Sequence, residues 1–265
     1  MNHMTADTIS SILFKAKRRL LSLHYKANSG HIGGNLSCLD ALITLYHCIM
    51  DRDDRFVLSK GHAAGALYIT LNSIGRLSDE QLDTFCRDNT SLPAHPSGKN
   101  IPGVLFSTGS LGHGPSLSAG LALALRQKGD NHKVFCLCSD GEWQEGSCWE
   151  ALIFAVHHKL ERLTILVDQN GLQAFGRTSD VASITDLAPR FKAFGASVIT
   201  INGHDTAALI KAVSAREPGK PHVIVMNTRK GRGLHFENMV ESHYLPLTAD
   251  QYEAARSSFS HKERS

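Results

Sequence analysis

Strong net charge, long apolar runs and targeting signals are all missing from this chain of 265 residues. Its 28 Lys and Arg residues nearly balance 25 Asp and Glu residues, which leaves a formal net charge of +3 at pH 7. The basic residues are scattered, so the sequence offers no patch for nucleic acid. No apolar run is long enough to cross a bilayer, and the N-terminus lacks a signal-peptide pattern. We therefore expect no nucleic-acid partner, no membrane association and a cytoplasmic location.

The six cysteines lack the spacing of a zinc site or a disulfide framework. Cys136 and Cys138 alternate along a predicted strand, so their side chains should point to the same side. No second closely spaced Cys or Cys/His pair completes a tetrahedral site. We expect reduced, buried thiols rather than zinc ligands or disulfides.

The usual nucleotide-binding loops are also missing. The glycine-rich loop at residues 107–114, "STGSLGHG", precedes a predicted helix and can bring its backbone close to a ligand. It matches neither G-x-x-x-x-G-K-[ST] nor G-x-G-x-x-G, which disfavours ATP and dinucleotides as ligands.

Short apolar runs alternate with helix-like segments along the chain. The runs "RFVLS", "KVFCLC", "LTILVD", "ASVITI" and "HVIVMNT" are typical of buried strands. Hydrophobic periodicity predicts helices at residues 9–23, 38–50, 114–127, 146–160 and 205–215. Further helices are predicted in "KGHAAGALYITLNSIG", at "LSDEQLDTF" and at "DLAPRFKAFG". Residues 86–111, rich in Pro, Gly and Ser, should be irregular. This alternation predicts one α/β domain over residues 1–265, a parallel β-sheet with helices on both faces.

Two polar corners follow successive predicted strands of this sheet. Asp140 and Gly141 come after "KVFCLC", and Asn170 and Gly171 come after "LTILVD". Asp-Gly and Asn-Gly pairs are also ordinary turn chemistry. In parallel sheets, however, ligands bind at the carboxyl ends of the strands. Carboxylate and amide oxygens suit Mg²⁺ or Ca²⁺, and a helix starting near residue 146 would add N–H groups for an anion. A metal-bound diphosphate is the indicated ligand.

The motifs around these corners resemble those of a known family. "SDGEWQEGSCWEA" and "VDQNGLQ" are similar to the thiamine diphosphate signature of transketolases. "NSGHIGG", "LSKGHA", "LPAHPS" and "TGSLGHG" resemble further transketolase motifs in the same order. The resemblance covers about residues 17–244 and implies the thiamine diphosphate-binding fold, with thiamine diphosphate and Mg²⁺, or Ca²⁺ in its place, as cofactors.

The resemblance also implies roles for individual residues. The metal ligands would be the side chains of Asp140 and Asn170 and the backbone carbonyl of Leu172. The cofactor-binding residues would be His62, Gly109, Ser110, Leu111, Gly141, Glu142, Asn170 and His243. The catalytic histidines, which face the substrate, would be His31, His95 and His243.

Two further carboxylates and four departures from the family pattern also concern this site. Glu145 would support the cofactor site and Glu150 a contact between subunits or a proton relay, although both also suit the first turn of a helix. The departures are Ser139 for glycine, Ile32 for proline, Ser97 for an acidic residue and His113 for glutamine. We expect Ile32 and Ser97 to lie on the substrate side, which puts ordinary pentose-phosphate specificity in doubt.

A complete transketolase continues into a pyrimidine-binding domain and a C-terminal domain. The glutamate that activates the aminopyrimidine ring lies in that region of the family, and nothing in this sequence matches it. The resemblance therefore implies the N-terminal subunit of a split transketolase. A partner chain would supply the glutamate and the pyrimidine pocket in an α2β2 assembly, which would transfer a two-carbon ketol unit from a ketose to an aldose among sugar or sugar-phosphate substrates.

Three other interpretations stay open. The α subunit of a thiamine-dependent 2-oxo acid decarboxylase or dehydrogenase shares the metal signature, but should lack the ordered histidine motifs. A non-catalytic subunit would bind the cofactor without turnover. A plain nucleotide-binding α/β domain would need a phosphate loop that this sequence does not show.

Overall fold

Five parallel strands form the centre of the protein in a computed structural model that describes residues 5–184 and 186–261. They are β1 (Arg55–Leu58), β2 (Val134–Ser139), β3 (Leu163–Gln169), β6 (Ser197–Asn202) and β7 (His222–Asn227). Their order in the sheet is β1-β2-β3-β7-β6. A separate two-stranded hairpin consists of β4 (Leu172–Gln173) and β5 (Gly176–Arg177). All five predicted strands are present.

Helices cover both faces of the sheet. They are α1 (Ala6–Lys26), α2 (Ile32–Thr44), α3 (Ala64–Ser73), α4 (Asp79–Leu82), α5 (Gly114–Gln127), α6 (Gly146–His157), α7 (Thr178–Val181), α8 (Leu187–Ala193), α9 (Thr206–Ser214), α10 (Glu241–Tyr244) and α11 (Ala249–His261). A π-helical turn, Leu45–Ile49, continues α2, and 3-10 turns lie at Gly61–Ala63 and Gly141–Gln144.

The sheet separates two hydrophobic cores. Leu137 and Leu166 face the core that contains α1, α2, α3 and α9. Cys136 and Ile165, one position earlier on the same strands, face the core that contains α5, α6 and α8. Because successive residues of a strand point to opposite faces, these apolar strands are buried on both sides. The predicted α/β architecture is confirmed.

Gly33 and Gly34 belong to helix α2, although the sequence predicts a glycine-rich break at these residues. The sequence predicts a start at residue 38, whereas the helix begins at Ile32. A Cβ atom on Gly33 would lie 2.4 Å from Ser242 Oγ, and one on Gly34 would lie 3.2 Å from His62 Cδ2. These glycines therefore allow close packing, which is missed when glycine is taken only as a helix breaker.

The remaining differences concern the length of one predicted helix and a few elements that the sequence does not predict. The helix predicted at "LSDEQLDTF" is confined to the single turn α4, which begins with a capping box from Ser78 and Gln81. Residues 86–111 lack helix and strand, as predicted. Helices α7, α10 and α11 and the β4–β5 hairpin were not predicted from the sequence.

One helical stretch corrects the prediction about apolar runs. Residues Ile32–Ile49 are long and apolar enough to cross a membrane, by length and composition. However, 78% of this stretch is buried inside the protein, which is typical of a core helix.

All six cysteines are free thiols. Cys136 Sγ and Cys138 Sγ lie 3.7 Å apart on the same side of β2, as predicted. The prediction that the thiols are buried is wrong for Cys86, which is exposed, and for Cys48, which is half-buried.

Candidate functional site

The carboxyl ends of β2 and β3 bring the two polar corners together. The strands pair in register, with Ser139 opposite Asp168, so the residues that follow them are neighbours. Asp140 is only 4% exposed, and its Oδ1 accepts a hydrogen bond from Gly141 N at 2.8 Å. Asn170 Oδ1 accepts a hydrogen bond from Leu172 N at 3.1 Å. The predicted juxtaposition of Asp140 and Asn170 at one edge of the sheet is therefore observed.

A cavity of about 340 Å³ opens at this edge, a volume suited to a small ligand. Most of the predicted site residues line it: His31, His62, His95, Gly109, Leu111, Asp140, Gly141, Asn170, Leu172 and His243, together with Glu145. Thus the histidines and the two polar corners share one cavity, although they come from segments far apart in the sequence.

Two of the predicted cofactor-binding residues lie outside this lining. Ser110 is exposed on the neighbouring loop. Glu142 is completely buried beneath the corner, where its carboxylate accepts hydrogen bonds from Gly112 N at 2.8 Å, from Ser139 N at 3.2 Å and from the Ser59 hydroxyl. Glu142 therefore connects the glycine-rich loop, through Gly112, with the end of strand β2, through Ser139. Direct contact of either residue with a cofactor stays a prediction.

Four other residues that the sequence singled out also lie away from the cavity lining. Ile32 is completely buried in the hydrophobic core, so the expectation that it lies on the substrate side is wrong. Ser97 is half-buried, and its Oγ faces Lys99 N. His113 is exposed at the N-terminus of α5, and Glu150 is exposed on α6.

The four lining histidines form one cluster. The ring centroid of His31 lies 4.9 Å from that of His243, 5.6 Å from that of His62 and 5.7 Å from that of His95. Burial lowers the pKa of His31, His62 and His95, and burial together with the charge of Lys230 lowers the pKa of His243 to about 3. All four rings are therefore neutral at pH 7, and each can donate and accept a hydrogen bond.

Lys230 completes the cavity and was not predicted from the sequence. Its Nζ donates a hydrogen bond to the Leu172 carbonyl at 3.0 Å and lies 2.9 Å from His243 Nδ1. The side chain is 2% exposed. Burial and the charge of Lys60 lower the pKa of Lys230 to about 8, against the attraction of Asp140. The sequence does contain a signal for Lys230. It lies in "RKGRG", directly after a predicted strand, and ligands of parallel sheets bind at that end of the strands.

A buried ion pair lies next to the corner that carries Asn170. The ammonium of Lys60 contacts the carboxylate of Asp168, and both side chains are completely inaccessible to solvent. Asp168 also accepts hydrogen bonds from Ser37 Oγ at 2.5 Å, from the Thr228 hydroxyl and from Asn170 Nδ2 at 3.4 Å. Burial alone would raise the pKa of Asp168, but Lys60 and these hydrogen bonds hold it below the ordinary value. Asp168 therefore stays ionised.

Asp140 has the opposite electrostatic balance. Burial and the nearby charge of Asp168 raise its pKa to about 6, although hydrogen bonds from Gly171 N and Gly141 N favour the ionised form. A cation beside such a buried carboxylate stabilises its ionised form, because the positive charge compensates the negative charge that burial disfavours. This is the electrostatic setting of a cation ligand.

The donor set fits a divalent ion with a diphosphate. Asp140, Asn170 and the Leu172 carbonyl offer hard oxygen ligands on one side of the cavity. Only one of the three is a carboxylate, and Mg²⁺ commonly completes its shell with phosphate and water. Lys230 and the neutral histidines offer hydrogen-bond donors to phosphate oxygens.

Comparisons with known proteins give the family of this chain. The family model of the transketolase thiamine diphosphate binding domain matches residues 12–265. The chain is 38% identical to an apulose-4-phosphate transketolase subunit of Phocaeicola vulgatus over 264 residues, 95% of this chain and 94% of that protein. It is also 38% identical to a 6-deoxy-6-sulfo-D-fructose transketolase subunit of Clostridium sp., over 87% of this chain and 88% of that protein.

Solved structures show the same relationship. Transketolase from Leishmania mexicana superposes with a TM-score of 0.89 at 28% identity, covering 97% of this chain and 42% of that one. Transketolase from Campylobacter jejuni gives a TM-score of 0.87 at 30% identity, covering 97% of this chain and 43% of that one. The chain thus spans less than half the length of these transketolases, in agreement with the domain that the family model describes. It belongs to the transketolase family, in which it corresponds to the N-terminal, thiamine diphosphate-binding part.

Proposed function

We propose that this chain is the N-terminal subunit of a two-chain transketolase, which transfers a two-carbon ketol unit from a ketose to an aldose. The observation that carries the proposal is the single cavity in which the corner of Asp140 and Asn170 meets the cluster of four neutral histidines. The relatives named as transketolase subunits, two of which match this chain almost end to end, support it.

The corner of Asp140 and Asn170, which we call the metal corner, would hold the cofactor. Asp140, Asn170 and the Leu172 carbonyl would bind Mg²⁺, or Ca²⁺ in its place, together with the diphosphate. His62 and Lys230 line the same cavity and would donate hydrogen bonds to phosphate oxygens. Bound thiamine diphosphate supplies the nucleophilic carbon that the reaction requires.

The histidines would handle the sugar. His31 and His95 are neutral, so each can accept a proton from one hydroxyl group and donate to another. His243 Nδ1 already accepts from Lys230 Nζ, so the other ring nitrogen of His243 offers a donor to the sugar. His31 and His95 both line the cavity, so their rings can reach a bound sugar. We assign the positioning of donor hydroxyls and proton transfer to His31 and His95, and a hydrogen bond to the substrate to His243.

A partner chain would complete the site with the activating glutamate and the pyrimidine pocket. Exposed apolar side chains support such a contact. Phe175, at the tip of the β4–β5 hairpin and in the cavity lining, is 86% exposed, and Leu245 is 53% exposed. On α6, Ile153 is 51% exposed and Phe154 is 39% exposed. We propose an α2β2 assembly in the cytoplasm, where reducing conditions suit the free thiols.

The substrates would be sugars or sugar phosphates. One relative is named for apulose-4-phosphate and another for 6-deoxy-6-sulfo-D-fructose, so the family includes carbohydrate substrates with different anionic groups. We propose that this chain recognises the ketol end that all such donors share. The partner chain then selects the rest of the sugar.

Reconstitution tests the proposal. The chain, its partner chain and their mixture are each assayed with thiamine diphosphate, Mg²⁺, a panel of ketose donors and an aldose acceptor. Ketol transfer in the mixture alone supports the split enzyme. Release of CO₂ from a 2-oxo acid would favour the 2-oxo acid enzymes instead, and tight cofactor binding without either reaction would favour a non-catalytic subunit.

A further inference from the structure

Asn35 joins two of the cavity histidines through a single buried amide. Its Nδ2 donates hydrogen bonds to the carbonyl of His31 at 2.8 Å and to the carbonyl of His62 at 3.0 Å. Its Oδ1 accepts a hydrogen bond from Ala66 N at 2.7 Å. The side chain is completely buried in the first turn of α2. One side chain therefore fixes both histidine backbones against each other, although the two lie on different segments.

The backbone of His31 needs such support. Its φ of 64° is in the left-handed region, which a residue with a Cβ atom adopts only at an energetic cost. Its carbonyl accepts from Asn35 Nδ2 and also from Asn35 N at 3.2 Å, while its N–H donates to the His243 carbonyl at 2.9 Å. Conformations of this kind persist where several contacts determine them. Here Asn35 provides two of the three hydrogen bonds.

The start of helix α3 leaves room for the Asn35 side chain and donates a hydrogen bond to it. A Cβ atom on Gly65 would lie 2.7 Å from His24 Nε2 and 3.2 Å from Asn35 Oδ1, so the glycine leaves room for both side chains. Ala66 is in the first turn of α3, where backbone N–H groups lack helical partners, and the N-cap residue Ala63 provides no side-chain cap. Asn35 therefore caps α3 from a different helix and at the same time holds His62, which precedes that helix.

We propose that Asn35 is a positioning residue, which sets the separation and orientation of His31 and His62 in the cavity. The inference rests on the proposed roles of His31 toward the donor sugar and His62 toward the diphosphate. A residue that served only to pack α2 on α3 would need no directional contacts to the two carbonyl groups. Loss of the amide frees both histidine backbones together, so cofactor binding and donor binding are expected to weaken together.

Two substitutions and one control separate positioning from stability. Asn35→Ala removes all three side-chain hydrogen bonds. Asn35→Asp keeps an acceptor oxygen for Ala66 N and removes the amide that holds the two carbonyls. Thr44→Val is the matched control, because Thr44 is also completely buried on α2 and its Oγ1 donates to the Asp40 carbonyl at 2.7 Å, away from the cavity. All three changes delete a buried hydrogen bond on the same helix.

The first readout is independent of activity. Histidine-labelled full-length chain is compared by NMR, with ring signals assigned from His→Gln variants. We expect the His31 and His62 signals to shift in both Asn35 variants and to keep their positions in Thr44→Val. Unchanged signals in the Asn35 variants, or equal shifts in the control, would overturn the inference. Because no turnover is needed, this result stands even if the reconstituted complex proves inactive as a transketolase.

The second readout uses the complex with the partner chain. We expect the Asn35 variants to bind thiamine diphosphate roughly tenfold more weakly and to show a roughly tenfold higher KM for the donor ketose, since a displacement of about 1 Å at a reacting site can cost up to about 100-fold. Both parameters should be unchanged in Thr44→Val even if its Tm falls. A lower Tm in the Asn35 variants with unchanged cofactor affinity and donor KM would show a purely structural role.

Discussion

Asp140 Oδ2 accepts a hydrogen bond from Gly171 N at 2.6 Å, which joins the corner after β2 directly to the corner after β3. The two residues are held by neighbouring strands of one parallel ladder. The carboxylate is thereby fixed between two backbone N–H groups, at the cavity that Asn170 and Leu172 also line. The proposed metal ligand is therefore held in place by the backbone of both corners.

Removal of the Asp140 carboxylate should abolish metal-dependent cofactor binding. In the complex with the partner chain, Asp140→Ala is expected to weaken thiamine diphosphate binding about 100-fold or more, since even residues that only support metal ligands commonly contribute 10- to 100-fold. Isothermal titration calorimetry with Mg²⁺ present measures the effect. Glu80→Ala, which removes an exposed carboxylate on α4, is the control. Retained tight binding in Asp140→Ala would rule out the proposed ligand role.

Cofactor affinity should fall below pH 6. The pKa of Asp140 is raised to about 6 by burial and by Asp168, and a cation ligand must be deprotonated. Affinity for Mg²⁺ with thiamine diphosphate should therefore drop by about tenfold per pH unit below that value and level off above it. Because the pKa is raised, Asp140 stabilises the metal-free chain at low pH, and this contribution is lost as the pH rises through about 6. Calorimetric titrations between about pH 5 and 7 test the first expectation, and a pH-independent affinity would contradict it.

Lys230 should contribute to diphosphate binding. Lys230→Met removes the ammonium that contacts the Leu172 carbonyl and His243 but keeps most of the buried volume. Because charge-assisted hydrogen bonds contribute about 1.5–3 kcal/mol, we expect thiamine diphosphate to bind roughly 10- to 150-fold more weakly. Binding of thiamine, which has no phosphates, should change little. Equal losses for both ligands would indicate a general distortion of the cavity.

The buried pair of Lys60 and Asp168 should be far more important for stability than an exposed pair of similar length. Lys60→Met leaves the Asp168 carboxylate uncompensated and should cost about 3–5 kcal/mol of unfolding free energy. The control is Lys220→Met, in the exposed pair with Glu217 at 2.6 Å, where solvent screens the charges and we expect little change in stability. Urea unfolding of the chain measures both. Similar losses in the two variants would show that the buried charge is compensated in another way.

Gly33 should not tolerate a side chain. In Gly33→Ala the new Cβ atom would meet Ser242 Oγ at 2.4 Å, and Ser242 precedes His243. We expect a loss of about 1–3 kcal/mol in stability and a displaced His243. Gly120→Ala is the counterpart, because a Cβ atom there meets nothing within 4 Å inside α5, and a gain of about 0.5–1 kcal/mol is expected. Thermal unfolding of the two variants shows whether their stabilities move in opposite directions.

The sheet and the metal corner could be predicted from the sequence because their signals are local. Apolar runs such as "LTILVD" give strands, and Asp140 and Asn170 directly follow two of them. Parallel pairing of neighbouring strands then places these residues side by side. The predicted start of α2 was wrong because the reason for Gly33 and Gly34 lies in side chains far along the chain, Ser242 and His62.

Lys230 and Glu142 show where local signals fail. Lys230 reaches the metal corner because β7 inserts beside β3, out of sequence order, and no spacing along the chain reveals that contact. Glu142 follows Asp140 and Gly141 closely in sequence, but the 3-10 turn Gly141–Gln144 directs its carboxylate beneath the corner. Such placements depend on topology and on the direction of single side chains.

The most direct test is anomalous diffraction from crystals of the complex with thiamine diphosphate and Mn²⁺ in place of Mg²⁺. We predict one strong manganese peak bound by Asp140, the Asn170 side-chain oxygen, the Leu172 carbonyl and the diphosphate. A cofactor bound without manganese at this corner, or a peak held by other residues, would contradict the proposed metal site.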